Sequence, residues 1–265
     1  MIKIAIINLK GGVGKSVTTC NVSALLPEIQ QGARVLVVDL DKQANTTKFF
    51  QRLDYDSPAV DAVLLHPETI GQAITDTPVA NVSLLPANMM LLSANRQVLM
   101  DCTQRQQDRL ARALAQVDGN YDYCLMDCPP DIDMATINAL CTADWVIIPV
   151  DCDEWALDGL NEIMDQIQSV QSAFNPNLSL LGILITKFTR TNHAVDTIKL
   201  LNATGLPVFR AGIRHATVVQ AAKAAHQPIH KYSPHSPAAG DYRKLTREIV
   251  QVVSNVDTKE ADGNE

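Results

Sequence analysis

The stretch NLKGGVGKSV, residues 8–17, directly follows an apolar run, IKIAIIN at 2–8. An apolar strand, a glycine-rich turn and then Lys-Ser opening a helical pattern is the context that a phosphate-binding loop requires. That loop reads G-x-x-x-x-G-K-[ST]. Gly14, Lys15 and Ser16 fill its last three positions, while Leu9 stands where the first glycine belongs. A second lysine, Lys10, follows at once. Gly11, Gly12 and Gly14 let backbone N–H groups turn inward around phosphate oxygens, and the amides of Val13 and Val17 belong to the same cradle. The helix N-terminus adds positive potential. Lys15 is expected to reach the β- and γ-phosphates, and the Ser16 hydroxyl to ligate Mg²⁺.

Outward from the loop, short apolar runs alternate with helical patterns. RVLVVDL (34–40), NVSLLPA (81–87), YDYCLMD (121–127), DWVIIPV (144–150) and LSLLGILIT (178–186) read, like 2–8, as strands. Most are continuously apolar, as strands buried on both faces must be. Helical stretches are expected near 15–31, 104–118, 133–142, 154–174, 190–204 and 237–253. This alternation predicts an α/β fold, a doubly wound, mostly parallel sheet flanked by helices. Residues 1–253 are read as one domain. Residues 54–80, with Pro58, Pro67 and Pro78, are expected as short helices and loops at one edge. The polar tail, 254–265, is expected to be disordered.

Composition narrows the class. Of 265 residues, 46% are hydrophobic and 19% charged, an ordinary balance for a soluble globular enzyme. No apolar run is long enough to span a membrane, and the N-terminus has no signal-peptide pattern. Six cysteines include no C-x-x-C pair, which favours free thiols in a reducing cytoplasm over a metal or cluster site. A net charge of −7 argues against coating nucleic acid by bulk charge. The distribution is uneven, however. Residues 180–250 hold ten lysines and arginines against three acids. A basic surface is therefore expected there.

Carboxylates should complete the nucleotide site. Asp127 ends an apolar strand in YDYCLMDCPP and is placed to hold Mg²⁺ through water. Asp39 and Asp41, in VVDLDKQAN, end the second strand, expected beside the first, and point at the crevice beyond the strands' carboxyl ends. Asp41 is assigned to orienting the attacking water and Asp39 to the outer shell of the metal. Capping of the following helix is the alternative for either residue.

With these residues in hand, the chain resembles the ParA family of partition ATPases, within the deviant Walker A group that includes MinD and the nitrogenase iron protein. The matching stretches are KGGVGKS, RVLVVDLDKQAN, YDYCLMDCPP, ADWVIIPVDCDEWALDGL, GILITKFTRTN and QPIHKY, which reach from residue 8 to about 232. The resemblance implies that Lys10 is the signature lysine, reaching the phosphates of ATP held by a partner subunit. It also implies an ATP-driven homodimer, non-specific binding of duplex DNA, hydrolysis stimulated by a ParB-like partner, and a cytoplasmic, nucleoid-associated protein. Arg190, Arg214, Lys223 and Lys231 are the candidates for DNA contact. Several positions depart from the family pattern. Val17 follows Ser16 where a threonine is usual, Lys42 replaces a proline, Asp151 replaces a glutamine, and Arg214, His215 and Ala216 align with a Pro-Arg-Asn stretch. Three other readings remain open: positioning of a protein cargo, MinD-like membrane association, and a cluster-carrying ATPase.

Overall fold

A computed structural model describes the backbone of residues 1–152 and 156–262. Seven strands form one sheet: β1 (Ile2–Ile6), β2 (Val35–Asp39), β3 (Thr75–Asp76), β4 (Val82–Leu85), β5 (Tyr123–Asp127), β6 (Trp145–Asp151) and β7 (Ser179–Thr186). Their order is β3-β4-β2-β5-β1-β6-β7. All pairings are parallel except β3 with β4. The doubly wound, mostly parallel sheet expected from the sequence is the fold observed. One neighbour differs from expectation. The second strand does not lie beside the first, because β5 runs between them and pairs with both. Asp39 therefore sits level with Asp127 on the adjoining strand rather than against the loop strand.

The apolar runs are continuous because the sheet is covered on both faces. Alternation along each strand divides the side chains. Ile4, Ile6, Val35, Val37, Leu125 and Ile147 face one core, shared with helices Lys15–Ile29 and Pro237–Asp262. Ala5, Ile7, Leu36, Val38, Met126 and Ile148 face the other, shared with helices Leu91–Met100, Arg109–Ala115, Met134–Thr142 and Ala156–Ala173. Burying both faces is what makes a parallel sheet stable.

Boundaries shift for local reasons. The helix expected at 104–118 is shorter, Arg109–Ala115, because Asp101 draws the preceding chain into a turn by accepting from the Thr103 N–H and hydroxyl. The Asn138 side chain then accepts from the Leu110 N–H at 3.1 Å and satisfies a first-turn donor. The helix expected at 190–204 spans Asn192–Ala203, with the Thr191 hydroxyl as its N-cap. The last helix runs to Asp262, so the stretch expected as a disordered tail begins within it. The 54–80 edge holds the helices Val60–Leu65 and Ile70–Ala73, then β3. Trp155 lies outside the described residues.

Candidate nucleotide site

Every element of the site follows the carboxyl end of a strand. The loop at 8–14 follows β1, Asp41 follows β2, Asp127 ends β5, Asp151 ends β6 and Thr186 ends β7. In an open α/β sheet this is the edge where ligands bind. A cleft of about 560 Å³ opens there. Gly11, Gly12, Gly14, Lys15, Ser16, Val17 and Asp41 line one side, and Thr186, Lys187, Arg214, Val219, Lys223 and Tyr242 the other.

The loop is fixed from below. Gly12 and Gly14 have φ of 77° and 94°, left-handed values that side chains rarely adopt. A Cβ at Gly14 would meet Thr186 Cγ2 at 3.7 Å, an ordinary contact, so backbone conformation rather than space requires glycine there. The Thr186 hydroxyl donates to the Val13 carbonyl at 2.8 Å. Val13 is buried, so it anchors the loop to the sheet. Asn8 donates to the Pro149 carbonyl at 2.7 Å and accepts from the Lys10 N–H at 2.8 Å. These bonds tie the Val13 carbonyl and the Asn8 side chain to the strands β6 and β7 beneath the loop.

Lys15 is only 7% exposed. Its ammonium donates to the carbonyls of Asn8 and Lys10, at 2.8 and 3.1 Å. Burial lowers its pKa, opposed chiefly by the charge of Asp127. Ser16, in the first turn of helix Lys15–Ile29, lies beside Asp127 and opposes the rise that burial gives the pKa of that carboxyl. Lys10, by contrast, is exposed on the outer edge of the loop.

The carboxylates divide by depth. Asp39 and Asp127 are wholly buried, whereas Asp41 lines the cleft. Burial raises the pKa of Asp39 and Asp127, and the proximity of Asp127 raises Asp39 further. Asp39 has both oxygens engaged. Oδ1 accepts from the Asp41 N–H at 3.1 Å, and Oδ2 accepts from the Thr47 N–H and hydroxyl at 2.8 and 2.7 Å. It thus binds the short helix Asn45–Phe49, which is the capping alternative in spatial form. Asp127 Oδ2 accepts from the Thr46 hydroxyl at 2.7 Å, while its Oδ1 is buried with no hydrogen-bond partner. An orphaned buried carboxylate oxygen near a serine hydroxyl is a donor set for a hard cation that keeps much of its water, as Mg²⁺ does. Among the described residues, no group of three or more His, Cys, Asp or Glu could hold a metal ion by itself. Cys20, Cys124 and Cys128 are buried free thiols, and Cys102 is exposed.

Sequence reasoning did not single out Thr46 and Thr47, which hold the two buried carboxylates. Their signal was present as a hydroxyl pair directly after DKQAN. The candidate DNA contacts are scattered. Arg214 lines the cleft and is gripped by Asp241 at 2.6 and 2.8 Å. Lys223 also lines the cleft. Lys231 pairs with Glu28 at 2.5 Å, and Arg190 is exposed ahead of helix Asn192–Ala203. One departure from the family pattern has a partner: Asp151 pairs with Lys187 at 3.1 Å, beside the cleft. Lys42 is half-buried, and its charge opposes the rise that burial gives the pKa of nearby Asp133.

Known proteins bear on this geometry. The family model for an AAA domain matches residues 1–180. The sporulation initiation inhibitor protein Soj of Bacillus subtilis is 36% identical over 250 residues, covering 93% of this chain and 97% of that protein. The chromosome-partitioning ATPase Soj of Treponema pallidum is 34% identical over 252 residues, covering 93% of this chain and 96% of that protein. This chain belongs to the ParA family of partition ATPases. A solved structure, cobyrinic acid a,c-diamide synthase from Mycobacterium smegmatis with bound ADP and magnesium, superposes on this ParA-family chain with a TM-score of 0.78 at 34% identity. That match covers 93% of both chains. No helix among the described residues of this ParA-family chain is long and apolar enough to cross a membrane.

Proposed function

We propose that this chain is a Mg²⁺-dependent ATPase that partitions DNA. ATP binds in the cleft at the loop, and two copies close over their nucleotides. The dimer binds duplex DNA without sequence preference, and a ParB-like partner stimulates hydrolysis. The observation that carries this reading is the arrangement at the carboxyl end of the sheet. A glycine cradle and the buried Lys15 line the cleft, and Asp127, buried beside Ser16 of the same lining, keeps an unpartnered oxygen for a cation.

Each residue then has a task. The loop amides and Lys15 hold the phosphates. Ser16 and Asp127 hold the cation, which would screen phosphate charge. Asp41, at the cleft wall with its Oδ1 accepting the Gln43 N–H at 2.9 Å, orients the attacking water. Asp39 supports Asp41 and the following helix from below. Lys10, exposed on the rim, supplies positive charge to the nucleotide of the other subunit, the role an arginine in trans plays in related chemistry.

Lys10→Ala separates these tasks. The variant retains nucleotide binding, because Lys15 and the amides remain, but loses the ATP-dependent dimer. Light scattering with and without Mg·ATP checks this, and a normal dimer sinks the in-trans role. The solved relative carries the name of an amide synthase. Such an enzyme consumes ATP only when an acid acceptor is present. Hydrolysis stimulated by DNA and a ParB-like partner, with no acceptor added, separates the two activities.

A further inference from the structure

Thr46 stands between the metal site and the Asp41 turn. It is wholly buried, and its hydroxyl donates to Asp127 Oδ2 at 2.7 Å. The Cys20 thiol approaches the same hydroxyl as a donor at 3.7 Å. A hydroxyl has one hydrogen to give, so with Cys20 on its acceptor side that hydrogen is committed to Asp127. One carboxylate oxygen is thereby fixed and the other, Oδ1, is left buried and unpartnered. Asp39 cannot substitute, since both its oxygens are occupied.

Thr46 also lies in the first turn of the helix that follows Asp41, Asn45–Phe49. The Ala44 N–H donates to the Asp41 carbonyl at 2.7 Å, and Ala44 has φ of 54°, a left-handed conformation unusual for alanine. A turn held in that conformation needs its far end anchored. The anchors are Thr46 on Asp127 and Thr47 on Asp39.

We propose that Thr46 is a positioning residue for the magnesium site. Its hydroxyl aims Asp127 so that Oδ1 serves the water shell of the ion, and the same bond ties the Asp41 turn to the occupied site. The inference rests on the ATPase reading above and adds a positioning residue to the Ser16 and Asp127 of its metal site.

The test uses the full chain with Thr46→Val, Thr46→Ala and Thr46→Ser and a fluorescent ADP analogue. Affinity without Mg²⁺ should stay within about twofold of wild type in all three, since the loop and Lys15 are intact. The Mg²⁺ concentration that half-saturates tightened nucleotide binding should rise about tenfold in Thr46→Val and Thr46→Ala, the usual scale for losing a group that orients a metal ligand. Thr46→Ser should restore it. Amide exchange over residues 41–49 should slow on adding Mg²⁺ and nucleotide to wild type and to Thr46→Ser, but not to the two variants lacking the hydroxyl. Thr46→Ala serves where Thr46→Val does not fold. Wild-type Mg²⁺ dependence in both hydroxyl-less variants overturns the proposal, as does Thr46→Ser behaving like Thr46→Val. If wild type itself shows no Mg²⁺ effect on nucleotide binding, the ATPase reading fails first and takes this inference with it.

Discussion

At the scale of single residues, the site works by assigning one charge to each depth. Lys15 is buried among loop carbonyls and shapes the loop, and on the proposed reading its ammonium also serves phosphate. Lys15→Ala should therefore abolish nucleotide binding rather than weaken it slightly. Equilibrium titration with a fluorescent ATP analogue checks this, and unchanged affinity would remove the loop assignment. Asp41 is the acidic side chain that reaches the cleft wall, and its buried neighbour Asp39 does not. Asp41→Ala should bind ATP and dimerise yet hydrolyse it at least about a hundredfold more slowly, because the water loses its orienting group. The ATP-bound dimer should accumulate. A wild-type rate in single-turnover hydrolysis would move the role elsewhere.

At the scale of elements, the Asp39–Asp127 pair shows what the sheet spends on function. Two carboxylates lie level on adjacent parallel strands, both wholly buried. Both have pKa values raised by burial. A carboxyl raised in the folded state contributes stability that is fully present below the ordinary value, about 4. That contribution is lost as pH rises through the raised folded value. Asp127→Asn should therefore stabilise the nucleotide-free protein by about 1–2 kcal/mol at pH 8, a few degrees of Tm, with the gain shrinking toward pH 4. Metal affinity should fall in the same variant. Melting curves across pH 4–8 decide it, and a gain independent of pH would mean that charge burial is not the cause. The pair also marks the limit of what was legible in the sequence. The loop, the parallel strands and the place of Asp127 at a strand end were readable because periodicity and glycine spacing are local. That Asp39 meets Asp127, with β5 inserted between β1 and β2, depends on strand order, which no local pattern encodes. The part played by Thr46 and Thr47 was hidden for a related reason. Two hydroxyls after a turn read as ordinary polar residues until the topology brings β5 beneath them.

At the scale of the whole molecule, the basic segment must be divided again. Its three acids are all engaged within the segment: Asp241 with Arg214, Asp196 with Lys199, and Glu248 with the N–H groups of Arg210 and Ala211. Arg214 and Lys223 face the cleft, and Lys231 is paired with Glu28. Arg190 is exposed ahead of its helix. On the proposed reading, Arg190 is the strongest of the four candidates for a direct phosphate contact. Dimerisation presents two copies of each contact, so binding should require ATP and be insensitive to sequence. Affinity should fall steeply with salt, with a log–log slope of about −0.9 per phosphate neutralised. Arg190→Ala removes one contact per subunit and should lessen that slope by about two in the dimer, leaving basal hydrolysis intact. Arg214→Ala should act differently. It frees Asp241 at the cleft and should weaken nucleotide binding before it alters the salt slope. A salt series of duplex-DNA binding with Mg·ATP, run on wild type and both variants beside a nucleotide titration, separates these outcomes. An unchanged slope in Arg190→Ala would place the DNA face elsewhere on the dimer, and no binding by wild type at low salt would end the DNA-partition reading.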